Sequence, residues 1–153
     1  MTNVEMVNRA SDIVATLGLM RNTKDASGFN DWLHPFGVAE RVKHYGEIIQ
    51  TVALLHDVVE DMGITLKDLE DKDFPEVVVN AVDHLTRRAE EPYEEYIERL
   101  SHNKMAIVVK IADLQYNLNR VDYGVPEEKA KKWRTRWVQA MRFLRDKLAI
   151  ENL

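Results

Sequence analysis

Apolar residues recur along this chain mostly at intervals of three and four, the spacing of one face of an α-helix. No segment shows convincing apolar–polar alternation at the period of a β-strand, so the sequence predicts an all-α fold. There is no internal repeat, low-complexity tract or linker between two patterned segments. We therefore expect residues 1–153 to form one compact helical domain.

Turn and capping residues divide the pattern into eight predicted helices. Gly18 and Gly46 are the expected stops of the first and second helices, and Thr65 with Asp68 resembles a capping box. Residues 21–31 are polar and without a period, which predicts a loop. The helices are expected near residues 4–17, 34–45, 47–61, 65–71, 74–88, 92–100, 103–121 and 126–150. An apolar stripe on the last helix is expected to serve packing and consists of Trp133, Trp137, Met141, Leu144 and Leu148.

The stretch from Thr51 to Asp61 combines a buried pattern with ionisable residues. Its apolar side chains cover most of the circumference, which is typical of a buried helix. Yet it also carries a cluster of four ionisable groups, His56, Asp57, Glu60 and Asp61. On a continuous helix these four lie within an arc of about 140°. Because carboxylates in a core are costly, the cluster indicates a metal, a cation or a pocket beside it. Glu60 and Asp61 alone would be typical of a solvated helix end.

The second strongly apolar helix, near 103–121, has one polar face. Lys110, Asp113, Asn117 and Arg120 follow one another at helical spacing and lie within about 80°. His34 opens an earlier helix just before Pro35, where a side chain is held rigidly.

These positions suit metal-dependent chemistry on a phosphate. His34, His56, Asp57 and Asp113 offer two imidazoles and two carboxylates, a set suited to manganese, iron or zinc with positions left for water and substrate. Glu60 and Asp61 are then candidates to orient or deprotonate a water and to protonate the leaving group. Five residues are candidate substrate contacts: Arg21, Lys24, Lys110, Asn117 and Arg120. Lys110 and Asn117 are alternatively expected to steady Asp113, and Arg21 and Lys24 are as consistent with solvated loop charges.

The amino-acid composition argues against several kinds of partner and site. The 21 Lys and Arg residues against 26 Asp and Glu give a net charge of −5, which argues against a nucleic-acid polymer as partner but not against a small anionic ligand. The absence of cysteine excludes disulfides and thiolate metal sites. No apolar run is long enough to span a bilayer, so we expect a cytoplasmic protein without a membrane partner. A homo-oligomer is left open.

The order His34…His56-Asp57…Asp113 resembles the signature of the HD-domain metal-dependent phosphohydrolases. Within that group, the segments 53–61 (ALLHDVVED) and 110–118 (KIADLQYNL) resemble the hydrolase domain of RelA/SpoT proteins and the small stand-alone alarmone hydrolases. The resemblance covers about residues 30 to 121. It implies manganese-dependent removal of pyrophosphate from the 3′ position of guanosine tetra- or pentaphosphate. It also implies metal ligation by the His-Asp positions, acid–base work by the Glu-Asp pair and a substrate role for Asn117.

Two features depart from that family. Its substrate loop usually reads Arg-Lys and then Gly-x-Pro-Tyr-x-x-His-Pro, whereas residues 28–33 here read GFNDWL before His34-Pro35. Arg120 stands where the family often has a small hydroxyl residue. The sequence therefore predicts a phosphohydrolase of a nucleotide polyphosphate with an alarmone as leading candidate. The alternatives are a hydrolase of another nucleotide or a nucleoside monophosphate, and a module that senses nucleotide without turnover.

Overall fold

The computed structural model describes residues 1–21, 33–121 and 123–151, and this part of the chain is helical with no strand. The all-α prediction is thereby confirmed, while Lys24 and most of the predicted 21–31 loop lie outside the described residues. The helices, with a single 3₁₀ turn at Lys43–Tyr45, are α1 (Asn3–Arg21), α2 (Leu33–Val42), α3 (Glu47–Leu55), α4 (Val58–Asp61), α5 (Leu66–Asp71), α6 (Glu76–Leu85), α7 (Tyr93–Leu100), α8 (Lys104–Arg120) and α9 (Glu127–Glu151).

The helix α3 lies at the centre of the core. Its residues Thr51–Leu55 are all buried, and it packs against α1, α2, α6 and α8. This burial explains why its sequence is apolar nearly all round. The last helix, α9, packs on α8 and α7, with Met141 and Leu144 of the predicted stripe buried. Within the described ranges, no helix has the length and apolarity needed to cross a membrane.

The predicted continuous helix through Asp61 is wrong in one respect, because the chain breaks at His56 and Asp57. The helix α3 ends at Leu55, and the His56 amide reaches back only to the carbonyl oxygen of Ala53, at 3.4 Å. Asp57 then adopts φ −108° and ψ −3°, in the bridge region where active-site residues are common. A new helix, α4, starts at Val58. The break lets the two adjacent side chains turn toward the same side.

The other helix boundaries differ less from the predicted ones. The Gly46 stop is confirmed by its φ of +106°, and the Thr65–Asp68 capping box forms in both directions. Gly18, however, is buried inside α1 and does not end it, so the helix continues to Arg21. The extension carries the Arg21 guanidinium to the backbone carbonyl of Asp61, to which it donates a hydrogen bond.

The helices α2 and α8 approach closely at Gly37. A Cβ atom on Gly37 would overlap the Tyr116 ring, with Cδ2 only 2.8 Å away. The same ring packs edge-on against the imidazole of His34, with centroids 4.7 Å apart, and its hydroxyl accepts a hydrogen bond from Arg120. The absence of a side chain at Gly37 therefore allows the contact that orients His34.

We predict that Gly37→Ala destabilises the protein. Overpacking costs about 1–3 kcal/mol, and the better helix propensity of alanine recovers up to about 1 kcal/mol of it. Urea denaturation should show a net loss of about 1–2 kcal/mol. In a Tyr116→Leu background the same substitution should cost nothing or stabilise, and an equal loss in both backgrounds would contradict the overlap.

The segment 86–91 joins α6 to α7 and is fixed by a paired carboxylate. Glu91 accepts two hydrogen bonds of 2.9 Å from the Arg99 guanidinium and a third from the Arg88 amide, at 3.1 Å. Arg99 also donates to the carbonyl oxygen of Thr86, at 2.8 Å. The Arg99 hydrogen bonds outweigh desolvation and lower the pKa of Glu91 from its usual 4.5 to about 2. We call residues 86–91 together with Arg99 the brace.

We predict a pH-dependent stability contribution from Glu91. Because its folded pKa is depressed, the contribution is present above about pH 4.5 and is lost as the pH falls toward 2. Glu91→Gln should therefore lower the free energy of unfolding by about 1–3 kcal/mol at pH 7, and by less at pH 3. Denaturation of both proteins at the two pH values measures the difference, and a penalty equal at both would contradict the assignment.

Candidate active site

Three elements bring two imidazoles and two carboxylates to one point. His34 comes from α2, His56 and Asp57 from the break after α3, and Asp113 from α8. Oδ1 of Asp113 lies 2.5 Å from Nε2 of His34 and 3.5 Å from Nε2 of His56. Oδ2 of Asp57 lies 4.0 and 3.2 Å from the same two nitrogens. Two ring nitrogens thus face the same two oxygens.

The two buried members of the cluster, Asp113 and His56, are each oriented by a hydrogen bond to a group outside the cluster. The Nζ atom of Lys110 donates to Oδ2 of Asp113 at 2.8 Å, which leaves Oδ1 toward the histidines. Nδ1 of His56 lies 2.6 Å from the carbonyl oxygen of Ala53, so this nitrogen carries the proton and donates it. The hydrogen bond fixes the imidazole with Nε2 toward the carboxylates, the arrangement typical of a metal-ligating histidine.

The electrostatics of the cluster favour an added positive charge. Burial would lower the pKa of His56, but the Asp57 and Asp113 carboxylates outweigh it and raise this pKa well above its usual value. Burial would raise the pKa of Asp113, but Lys110 and the two histidines hold it well below the usual range. The pKa of Asp57 is lowered as well, because His56 and His34 outweigh its burial, so both carboxylates are held in the ionised form.

The donor set fits a divalent metal ion. Among the described residues, Nε2 of His56 is buried without a hydrogen-bond partner, although it faces two carboxylate oxygens. Donor atoms of one ion at bond lengths of about 2.0–2.2 Å lie about 3 Å apart. Nε2 of His56 lies 3.2 Å from Oδ2 of Asp57, close to that separation, and the ligand atoms of His34, His56 and Asp57 all lie within 4.8 Å of one another. A mixed nitrogen and oxygen set suits manganese, iron or zinc.

A group of three carboxylates adjoins the candidate metal ligands. Asp57, Glu60 and Asp61 also have carboxylate oxygens within 4.8 Å of one another, so Asp57 belongs to both groups. Burial and the nearby Asp57 and Glu60 charges raise the pKa of Asp61 to about 6, against the opposing effect of Arg21. Burial also raises the pKa of Glu60, whose Oε1 accepts a hydrogen bond from the Arg87 backbone amide at 2.8 Å. Raised carboxyl pKa values are typical of groups that exchange protons near neutral pH.

Members of both groups line one cleft of about 470 Å³, whereas the buried His56 is not among its described lining residues. Of the predicted substrate contacts, Arg21, Lys110 and Asn117 line it as well, and so does Met62, which the sequence did not suggest. Arg120 is not among the described lining residues, because its guanidinium stacks on the Tyr116 ring at 5.1 Å and donates to its hydroxyl. Lys24 lies outside the described residues.

Sequence reasoning missed two supporting contacts. Tyr116 stands three residues after Asp113 on α8, and this spacing was a usable signal for a side chain beside the cluster. The Arg87 amide that holds Glu60 had no such signal, because a backbone donor leaves no trace in the side-chain pattern.

Comparison with known proteins gives a consistent assignment. No family model matches the sequence. The chain is 34% identical over 112 residues to the zebrafish protein guanosine-3′,5′-bis(diphosphate) 3′-pyrophosphohydrolase MESH1, and the match covers 68% of this chain. It spans 62% of the zebrafish protein's length, less than two thirds. The human MESH1 protein is 34% identical over 127 residues, which cover 77% of this chain and 70% of the human one.

A solved structure has the same fold. It belongs to a metazoan orthologue of SpoT described as hydrolysing ppGpp, and the superposition has a TM-score of 0.74 at 23% identity. The match covers 94% of this chain and 92% of the other, which confirms the predicted HD-type helical fold. On the identity to the human protein and the extent of that match, the chain belongs to the MESH1 family of guanosine-3′,5′-bis(diphosphate) 3′-pyrophosphohydrolases.

Proposed function

We propose that this protein hydrolyses guanosine 3′,5′-bis(diphosphate) at the 3′ position, releasing pyrophosphate. The observation that carries the proposal is the meeting of two imidazole nitrogens and two carboxylate oxygens beside a cleft that also holds Glu60, Asp61 and two cations. The activity named for the MESH1 relatives supports the choice of reaction and substrate.

His34, His56, Asp57 and Asp113 are the residues that would hold a divalent ion, for which we propose manganese. When bound, the ion supplies Lewis-acid polarisation of a phosphoryl oxygen and of a water. Lys110 contributes by fixing Asp113 through Oδ2, and the Ala53 carbonyl by fixing the His56 ring. These two contacts set the orientation of the ligands before any ion arrives.

Glu60 and Asp61 carry the proton transfers of the proposed reaction. The oxygen of a water forms a bond to the phosphorus attached to the 3′ oxygen, and the bond from that phosphorus to the 3′ oxygen breaks. The water proton passes to this carboxylate pair, and the pair returns a proton to the leaving 3′ oxygen. The pKa of Asp61, raised to about 6, suits both directions of transfer near neutral pH, and burial raises the pKa of Glu60 as well.

The substrate side of the cleft is proposed to consist of Arg21 and Asn117. Arg21 provides a guanidinium with donors for a phosphate, and Asn117 lies one helical turn beyond Asp113 on α8. With a volume of about 470 Å³, the cleft has the size of a small-molecule site.

We predict that the purified protein with Mn²⁺ releases pyrophosphate from guanosine 3′,5′-bis(diphosphate). The variant Glu60→Gln should retain the metal, while its turnover falls by about 10²-fold or more. A panel with GTP, GDP and nucleoside monophosphates tests the substrate. Glu40→Gln, the same change at an exposed site, serves as control. Release of phosphate or pyrophosphate only from other nucleotides would show that the substrate is a different nucleotide. Binding without any release would favour a sensing module, and unchanged turnover would remove Glu60 from the mechanism.

We predict that Asp57→Ala abolishes Mn²⁺ binding, because it removes the one carboxylate shared by both acidic groups. Asp71→Ala removes an equal charge from an exposed surface pair and should leave binding unchanged. Isothermal titration with Mn²⁺ alone measures both without any substrate. Retention of wild-type affinity by Asp57→Ala would place the ion elsewhere.

A further inference from the structure

The catalytic candidate Glu60 is held by a backbone donor from a distant part of the chain. It lies on α4, a helix of four residues that begins directly after the break at Asp57. Its Oε1 accepts the amide hydrogen of Arg87, 27 residues away, at 2.8 Å. The hydrogen bond engages one carboxylate oxygen and leaves Oε2 outside it. A side chain held in this way presents one defined oxygen to the cleft.

The brace defined above fixes the position of that amide. Arg99 binds Glu91 through two hydrogen bonds and the Thr86 carbonyl through a third, which ties the two ends of the 86–91 segment together. Arg88 adds a second hydrogen bond to the Thr86 oxygen, at 2.6 Å. The Nε atom of Arg87 itself donates to the Glu91 carbonyl at 2.9 Å.

The ends of α6 and α7 anchor the brace to the core. The hydroxyl of Tyr96, which is 3% exposed, donates to the carbonyl oxygen of Leu85 at 2.7 Å. Leu85 is the last residue of α6, immediately before the segment begins. The segment also contains Glu90 at a φ of +64°, a conformation that surrounding contacts must maintain. Hydrogen bonds therefore fix the conformation of the brace and its position against the core.

We propose that the brace is a positioning element for the acid–base step, and that the Arg87 backbone N–H holds Glu60 in the orientation needed for proton transfer. This inference rests on the function proposed above. Proton transfer requires heavy atoms within about 2.6–3.2 Å, so a small rotation of Glu60 would slow the chemical step without changing the groups that bind metal or substrate. Glu60 is the catalytic residue here, and Arg87, Glu91 and Arg99 act through it.

A pair of variants at one position separates the backbone donor from the side chain. Arg87→Pro removes both the backbone N–H and the arginine side chain. Arg87→Ala removes only the side chain and keeps the backbone N–H. The preceding residue, Thr86, has φ −93° and ψ +110°, an extended conformation compatible with a following proline. We expect Arg87→Pro to have a kcat about 10–100-fold below that of Arg87→Ala, with KM and Mn²⁺ affinity equal within about twofold.

A double-mutant cycle distinguishes positioning from general damage. In a Glu60→Gln background, Arg87→Pro should cause no further loss of kcat, because the residue it positions no longer transfers protons. If Arg87→Pro does not fold, Glu91→Gln supplies the same comparison with a smaller loss of kcat. Equal kcat for Arg87→Pro and Arg87→Ala, or a loss that persists in full without Glu60, would overturn the inference while the proposed function stands. No turnover by the wild-type protein on any nucleotide would overturn the proposed function itself.

Discussion

The contact between Lys110 and Asp113 organises the cleft, because it decides which way a buried carboxylate points. With Oδ2 held by the ammonium group, Oδ1 faces both imidazoles, and Oδ2 of Asp57 faces the same two rings. Two ionised carboxylates at such a position require compensation. The two carboxylates raise the pKa of His56 well above its usual value, which is the electrostatic sign of that requirement. A divalent ion held by these residues would supply the compensating charge directly.

The break between α3 and α4 is the local geometry that this arrangement demands. On an uninterrupted helix, neighbouring side chains point about 100° apart, and His56 and Asp57 would not share a target. The turn at Asp57 removes that constraint and also starts α4 in a direction that places Glu60 and Asp61 at the rim of the cleft. The buried residues of α3, from Thr51 to Leu55, supply the rigid core on which the break is built.

The sequence predicted most of the fold and the members of the cluster, because helical periodicity and local caps carry that information. The polar face of α8 and the capping box of α5 follow from spacing alone. What it could not predict depends on contacts without a period. The break at His56 and the continuation of α1 through Gly18 leave no mark in the apolar spacing. The brace joins Glu91 to Arg99 across a bend in the chain. Arg120 was a reasonable substrate candidate from its spacing, but the Tyr116 hydroxyl and ring hold its guanidinium away from the lining of the cleft.

The charges that line the cleft link metal binding to substrate binding. Four carboxylates, those of Asp57, Glu60, Asp61 and Asp113, face only two permanent cations among the described lining residues, Arg21 and Lys110. Both cations are engaged, since Lys110 binds Asp113 and Arg21 donates to the Asp61 carbonyl. A polyphosphate entering this cleft alone would meet net negative charge in a partly desolvated space, where repulsion is poorly screened. A divalent cation reverses that balance. Substrate affinity should therefore depend on the metal even for contacts, such as Asn117, that never touch it.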